Sequence, residues 1–113
     1  MLLPLLLTLA GPQDIAAANA ADLRCMAIFA VSTSKAPADQ QAGVVAGTMF
    51  FYGKISGRSP ALDVEAKMFE LFKADPEGVT LEKDRQRCAS EIKRHGTLLM
   101  AIGERMIAAS KAQ

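Results

Sequence analysis

The chain has 113 residues, enough for one domain, and 50% of them are hydrophobic although only 5% are aromatic. Ala, Leu and Met, which favour helices, outnumber the β-branched and aromatic residues of strands, so the composition predicts an all-α fold. The net charge is +1, from 13 basic and 12 acidic residues mixed along the chain. This mixture argues against nucleic-acid binding, which needs a concentrated positive patch.

The start of the chain has the pattern of an export signal. Residues 2–10 form an apolar run of signal-peptide length, too short to span a bilayer, which needs about 20 residues. Gly11 and Pro12 interrupt the run, and Ala18-Asn19-Ala20 is an A-x-A cleavage pattern. We therefore expect a signal peptide that is cleaved after Ala20.

Cleavage at that position divides the chain into a signal peptide, residues 1–20, and a single helical domain, residues 21–113. The remaining domain has no apolar run long enough for stable membrane insertion, so we expect it in the periplasm or secreted. The alternative is that residues 2–19 form a buried N-terminal helix. Four residues make a continuous helix there poor: Pro4, Gly11, Pro12 and Asp14.

The two cysteines, Cys25 and Cys88, are expected to form one disulfide, because paired cysteines are typical of small exported domains. Closing a loop of this length would stabilise the fold by about 4 kcal/mol in the chain-entropy model. A zinc site would need more ligands than the single histidine, His95, supplies, and no CxxC redox motif is present. We therefore predict neither a metal nor another cofactor.

The spacing of apolar residues predicts a four-helix array with short connections and a long C-terminal helix. The predicted helices cover residues 22–33, 37–56, 60–74 and 81–110. Their starts are assigned to capping or first-turn residues, and the second helix is expected to end in a left-handed glycine cap. The four helices are expected to start at Asp22, Pro37, Ser59-Pro60 and Thr80, and Gly57 is the expected glycine cap of the second helix.

The last helix carries a seam of residues that alternate four and three apart: Leu81, Arg85, Cys88, Ile92, His95, Leu99, Ile102 and Met106. A second stripe of small residues recurs every seven positions: Ala89, Gly96 and Gly103. We expect this stripe to pack closely against Gly43 and Gly47 of the second helix, and Gly96 is a candidate for a kink. Arg85 is expected to pair with a carboxylate, for which Asp22 is a candidate.

Few residues in the sequence suggest catalysis. A lone histidine in a helix seam, as His95 is, is more often a packed residue than a general base. The chain has neither a nucleophile elbow nor the glycine spacing of a phosphate-binding loop. We predict that the protein is not an enzyme, and a hydrolase or lyase built around His95 is the alternative.

The Met and Phe residues are more informative, because such side chains adapt to irregular partners. Those on the second and third helices form a candidate apolar binding surface: Met49, Phe50, Phe51, Tyr52, Phe69 and Phe72. The alternative interpretation places all of them in the core, since a small bundle needs large apolar side chains to fill its interior.

The motif Leu23-Arg24-Cys25-x-x-x-Phe29, with Cys88 opening the last helix, resembles the small periplasmic acid-stress chaperones of the Hde type. The resemblance implies an exported helical protein with one disulfide, a dimer at neutral pH that opens in acid and holds unfolding clients on apolar surface. The stretch 51–58 is similar to uncharacterised small secreted helical proteins of bacteria.

Together these observations predict a small exported binding protein, for which an acid-stress holdase is one form. The alternative is a structural or inhibitory partner in one fixed periplasmic complex. The expected partners are a protein or an unfolded client, and a homodimer is a further expectation. Nucleic acid is not expected as a partner.

Overall fold

The computed structural model describes residues 11–112, and these contain five α-helices and no strand. The helices are α1 (Pro12–Thr33), α2 (Gln41–Arg58), α3 (Val64–Ala74), α4 (Val79–Glu82) and α5 (Arg85–Lys111). The predicted all-α class, the helical array and the long C-terminal helix are confirmed. The apolar run of residues 2–10 lies outside the described residues.

α1 begins at Pro12 instead of Asp22. Pro12 suits the first turn of a helix because its fixed φ is already helical and its missing N–H is not needed there. Asp14 also favours a helix start, since its Oδ2 accepts the backbone N–H of Gly11 at 3.3 Å. The helix then runs without interruption past Ala20. Cleavage after Ala20 stays a prediction, and it would remove the first part of α1.

Among the described residues, α1 is the one helix that is long and apolar enough to cross a membrane. One third (33%) of its apolar window is buried in the structure, and the helix lies near the N-terminus. An export signal and the core helix of a soluble domain both meet these criteria. The helix is therefore compatible with a signal sequence.

α1 is the central helix, because each of the other four helices packs against it. Phe51 of α2 and both cysteines are completely buried. The core cluster draws on α1, α2, α4 and α5: Cys25, Ala27, Ile28, Phe51, Leu81 and Cys88. Burying these side chains next to α1 supplies the hydrophobic stabilisation of the bundle.

The predicted disulfide is present and joins α1 to the first turns of α5. The Cα atoms of Cys25 and Cys88 lie 5.3 Å apart, and the two residues are separated by 63 positions in the chain. A cross-link over a loop of this length removes enough unfolded-state entropy to stabilise the fold by about 4 kcal/mol.

The boundary between α2 and α3 differs from the prediction. α2 continues through Gly57 and ends at Arg58, and Gly78 is the only described residue with a left-handed backbone (φ +72°). α3 is capped by Asp63, whose Oδ1 accepts the backbone N–H of Ala66 at 3.0 Å, and not by Ser59. Both residues are good caps, and sequence spacing alone does not choose between them.

The start of the last helix also differs. Thr80 and Leu81 belong to the short helix α4, and α5 begins at Arg85. Two contacts fix α4 as a helix of its own before α5. Asp75 Oδ2 accepts the backbone N–H of Leu81 at 2.9 Å, and the Leu81 side chain is buried. The second helix likewise begins later than predicted, at Gln41 instead of Pro37.

The prediction that the stripe of small residues on α5 packs against α2 is wrong. A Cβ on Gly47 would lie only 2.6 Å from Cδ1 of Phe29, so α2 uses this glycine to approach α1. Within the described part of the chain, a Cβ on Gly43, Gly96 or Gly103 would meet no atom within 4 Å. α5 is continuous through Gly96 and is not divided there.

We expect Gly47→Ala to destabilise the protein by about 1 kcal/mol. Displacing the Phe29 ring costs about 1–3 kcal/mol, which exceeds the helix-propensity gain of about 1 kcal/mol. Gly43→Ala is the matched control on the same helix, and it should stabilise the protein because its Cβ has open space in the described structure. Urea unfolding at neutral pH measures both, and equal stabilisation by the two substitutions would contradict this packing.

Candidate functional site

A buried carboxylate, Asp22, organises the polar contacts between the helices. Asp22 is only 3% exposed. Its Oδ1 accepts a hydrogen bond from Lys54 Nζ at 3.0 Å, and its Oδ2 accepts one from Arg58. Lys54 also donates to Glu91, so a single ammonium joins α1, α2 and α5. The two cations neutralise a charge that would be costly to bury alone.

The cluster extends toward the N-terminal end of α1. Arg58 Nη1 donates to Asn19 Oδ1 at 2.8 Å, and Asn19 Nδ2 donates to Ser59 Oγ at 2.9 Å. Asn19 is 7% exposed. Cleavage after Ala20 would remove these contacts and would leave Arg58 paired with Asp22.

The surroundings of Lys54 change its proton affinity. Desolvation by burial alone would lower the pKa of Lys54, but the hydrogen bonds and charges of Glu91 and Asp22 outweigh it and raise the pKa above the ordinary 10.5. The ammonium also lies 5.6 Å from the ring centroids of both Phe50 and Phe51. The stability contributed by charged Lys54 is fully present below its unfolded pKa and is lost as the pH rises through the folded value.

A second ion pair fixes α1 to the segment that leads into α5. Arg24 donates to Oδ2 of Asp84 and, through Nη2, to the Thr80 carbonyl at 2.8 Å. The hydrogen bond from Arg24 outweighs desolvation and lowers the pKa of Asp84 below its ordinary 3.8, with a further contribution from the charge of Arg87. Arg85, which was expected to pair with Asp22, instead pairs with Glu82 on the surface.

The one catalytic candidate in the sequence, His95, lies half-buried on α5. Its ring centroid is 5.1 Å from that of Phe50 and the two rings are tilted by 41°. Within residues 11–112, no group of three or more His, Cys, Asp or Glu residues has the arrangement of a metal site. Every buried side-chain polar atom in the described structure has a hydrogen-bond partner. The two buried polar residues of the described chain, Asn19 and Asp22, both connect α1 to Arg58 of α2.

The residues of the predicted apolar surface divide between core and surface. Phe51 is 0% exposed, so its assignment to a binding surface is wrong. Gly47, Phe51 and Ile55 follow one another every four residues and form the face of α2 that is buried against α1. Phe50 is half-buried, and its ring is nearly perpendicular to that of Phe51 (81°) at a centroid distance of 5.0 Å.

The other four predicted residues are exposed. Met49 and Tyr52 lie on the outer side of α2, 61% and 43% exposed. Phe69 and Phe72 of α3 are 56% and 57% exposed, and they border a groove of about 280 Å³. α1, α3 and α4 line this groove: Ala27, Val31, Glu65, Met68, Phe69, Leu71, Phe72 and Leu81. The groove is apolar except for Glu65.

A larger apolar surface was missed in the sequence. Beyond Gly96, α5 exposes six large apolar side chains: Leu98, Leu99, Met100, Ile102, Met106 and Ile107. We call this set the α5 face. Three of the six residues, Leu99, Ile102 and Met106, belong to the predicted four-three seam, which we interpret from the sequence as packing inside the bundle. The available signal was length: the last predicted helix, residues 81–110, is longer than every other predicted helix, so part of its seam has no partner of matching length.

Comparisons with protein-family models, curated proteins and solved structures found no match to this chain.

We expect Asp22→Ala to lower the free energy of unfolding by about 2–3 kcal/mol, because it leaves Arg58 and Lys54 without their shared partner. Asp39→Ala, which removes an exposed carboxylate near the start of α2, is the control and should change stability little. Chemical denaturation at neutral pH measures both. A loss no larger than that of the control would contradict a central role for the Asp22 cluster.

The Arg24–Asp84 pair predicts a specific pH dependence. Because the folded pKa of Asp84 is lowered, its contribution is fully present above the unfolded pKa and is lost as the pH falls through the folded value. We expect Asp84→Asn to cost about 1 kcal/mol at neutral pH and nothing in strong acid. Unfolding curves of both proteins from neutral pH to about pH 2 measure this. A stability difference independent of pH would contradict the pairing.

Proposed function

We propose that this chain is a small exported, non-enzymatic protein that binds polypeptide segments through exposed apolar surface, in the manner of a holdase. The observation that carries the proposal is the groove at α3, where Phe69 and Phe72 are more than half exposed beside an apolar depression. Phenyl rings held on a helix supply a large contact area at low cost in side-chain entropy, which suits binding of varied apolar segments.

The composition of the core strengthens this proposal. A domain with few aromatic residues would be expected to bury nearly all of them, yet only one of the five Phe residues, Phe51, is completely buried. Contiguous apolar surface on a soluble domain is typical of an interaction site. The groove combines such surface with a single charged side chain, Glu65, at its rim.

Two features support export. The disulfide is of a kind that persists in oxidising compartments, and the apolar N-terminal helix is compatible with a signal sequence. We place the mature protein in the periplasm or outside the cell on these grounds.

The ion pairs support an acid-responsive form of the proposed function. Asp22, Asp84 and Glu91 connect α1 to α2 and to the α4–α5 region through Lys54, Arg58 and Arg24. The pKa of Asp84 is lowered by its hydrogen bond from Arg24, so acid strong enough to protonate Asp84 would remove the attraction between these two residues and leave the repulsion among the 13 Lys and Arg residues of the chain. Acid would thereby loosen the helices around α1 and expose more apolar surface.

A fixed complex with one partner is the second candidate function. The observation that favours it is the regular spacing of the exposed residues Leu99, Ile102 and Met106 on α5, because a four-three seam fits one matching helix better than many irregular clients. A single stoichiometric partner recovered from periplasmic extract at neutral pH would favour this alternative.

We expect the protein, purified from periplasm, to suppress aggregation of an acid-unfolded client near pH 3 in a light-scattering assay. The double substitution Phe69→Ser and Phe72→Ser should reduce that suppression at least by about half, because it removes the apolar border of the groove. Intact mass of the same preparation shows whether the chain begins at Ala21.

The matched control replaces two exposed valines outside the groove, Val45→Ser and Val79→Ser, and should leave suppression unchanged. Circular dichroism verifies that each variant is folded before the assay. Absence of suppression at every pH would remove the holdase proposal, and full suppression by the Phe69/Phe72 variant would remove the groove as its site.

A further inference from the structure

Glu65 is the one charged residue among those that line the groove at α3. It lies in the first turn of the helix, and Phe69 and Phe72 follow it by four and seven residues. Residues at this spacing share one face of a helix. The carboxylate and the two exposed phenyl rings therefore form a row along the same side of α3, about 10 Å long at 1.5 Å per residue.

Within residues 11–112, no cation pairs with the Glu65 carboxylate. The second glutamate of α3, Glu70, does pair, with Lys67 Nζ at 3.3 Å, whereas the ion pairs of this part of the chain do not include Glu65. Glu65 is also exposed to solvent. A carboxylate at the rim of an apolar groove favours a ligand that brings a cation, because complementary charge fixes the register of a bound segment.

The aromatic ring next to Glu65 determines which cation fits best. Side chains four residues apart on a helix have Cβ atoms about 5–6 Å apart, so a cation paired with Glu65 also reaches the ring of Phe69. A guanidinium suits both groups, because it is planar, pairs with a carboxylate through two parallel N–H bonds and stacks on an aromatic face. An ammonium is a compact, strongly hydrated charge and gains less from the ring.

The bundle holds one of its own cations with the same two kinds of group. Lys54 Nζ donates to Oδ1 of Asp22 at 3.0 Å and lies 5.6 Å from the ring centroids of Phe50 and Phe51. A carboxylate and phenyl rings thus position a side-chain cation between the helices. The groove at α3 offers the same combination at the surface, where no cation of the described chain occupies it.

We propose that the groove at α3 selects apolar polypeptide segments that carry an arginine, and that Glu65 and Phe69 recognise its guanidinium. The inference rests on the proposed function of the groove and names the residues that determine its specificity. The apolar part of the segment contacts Phe72 and Val31, both of which are more than half exposed at the groove. The arginine lies at the Glu65 end.

The charges beyond the groove do not favour a second cation. An adjoining hollow of about 220 Å³ shares two lining residues with the groove and carries charges of both signs: Lys35, Glu77, Glu82 and Arg85. Arg85 Nε pairs with Glu82 at 2.8 Å. Lys35 and Glu77 then leave this hollow without net charge. A cation is therefore favoured at the Glu65 end alone, which gives the bound segment one direction.

Calorimetric titration of the disulfide-intact protein at neutral pH measures the preference with three synthetic peptides. Each peptide has the apolar block Leu-Val-Phe-Leu between short Gly-Ser ends, and the residue before the block is Arg, Lys or Gln. We expect the Arg peptide to bind at least about fivefold more tightly than the Gln peptide, with the Lys peptide between them. Raising the NaCl concentration from about 0.05 M to about 0.5 M should reduce this preference, because salt screens an exposed ion pair.

The two glutamates of α3 give a matched pair of variants. Glu65→Gln should bring the affinities of the Arg and Gln peptides to within about twofold of each other and leave that of the Gln peptide unchanged. Glu70→Gln, which lies outside the groove, should keep the full preference. Phe69→Leu keeps an apolar contact without the ring, so it should remove most of the difference between the Arg and Lys peptides. Circular dichroism verifies that each variant is folded.

The outcomes separate this inference from the function on which it rests. Equal binding of the three peptides, or an Arg preference that survives Glu65→Gln, would overturn the selection while the groove stays a binding site. Equal binding of the Arg and Lys peptides to the unsubstituted protein would overturn the part assigned to Phe69. Binding of none of the peptides would overturn the groove as a binding site, and the selection with it.

Discussion

The position of α5 depends on the bond between Cys25 and Cys88. The helix contacts the bundle along its first turns only, and the disulfide lies there, within the buried core. The Arg24–Asp84 and Lys54–Glu91 ion pairs surround this point, and the His95–Phe50 contact is the last before the helix leaves the bundle. Because few apolar contacts hold α5, the covalent link determines which face it presents to α1 and which face stays exposed beyond Gly96.

The Asp22 cluster complements this link with charge. Asp22 lies one turn before Cys25 on α1, and its cations come from α2, while Glu91 lies one turn after Cys88 on α5. The disulfide and the cluster therefore secure the same junction by two kinds of interaction, one insensitive to pH and the other not.

Local sequence signals identified the helices and the disulfide but not the faces that they bury. The cysteine pairing followed from composition and context, and the apolar spacing located four of the five helices. The cap of α3 was assigned to Ser59 instead of Asp63 because both residues accept backbone N–H groups equally well. Phe51 and Phe69 are chemically identical, and only the tertiary position of their helices places the first in the core and the second at the groove. The α5 face was missed for the same reason, since a four-three spacing does not show which of its residues are buried in the folded chain.

The continuity of α1 has a consequence for the order of events in the cell. Peptidases act on extended or locally unfolded backbone, and the bond between Ala20 and Ala21 lies inside a regular helix flanked by buried Asn19 and Asp22. If this bond is where the leader is removed, processing has to occur before α1 docks onto α2. The new amino group at Ala21 would then form next to Asp22. Cleavage after Ala20 and docking of α1 onto α2 would therefore compete for the same few residues. The faster of the two would decide whether the cleaved or the uncleaved protein accumulates.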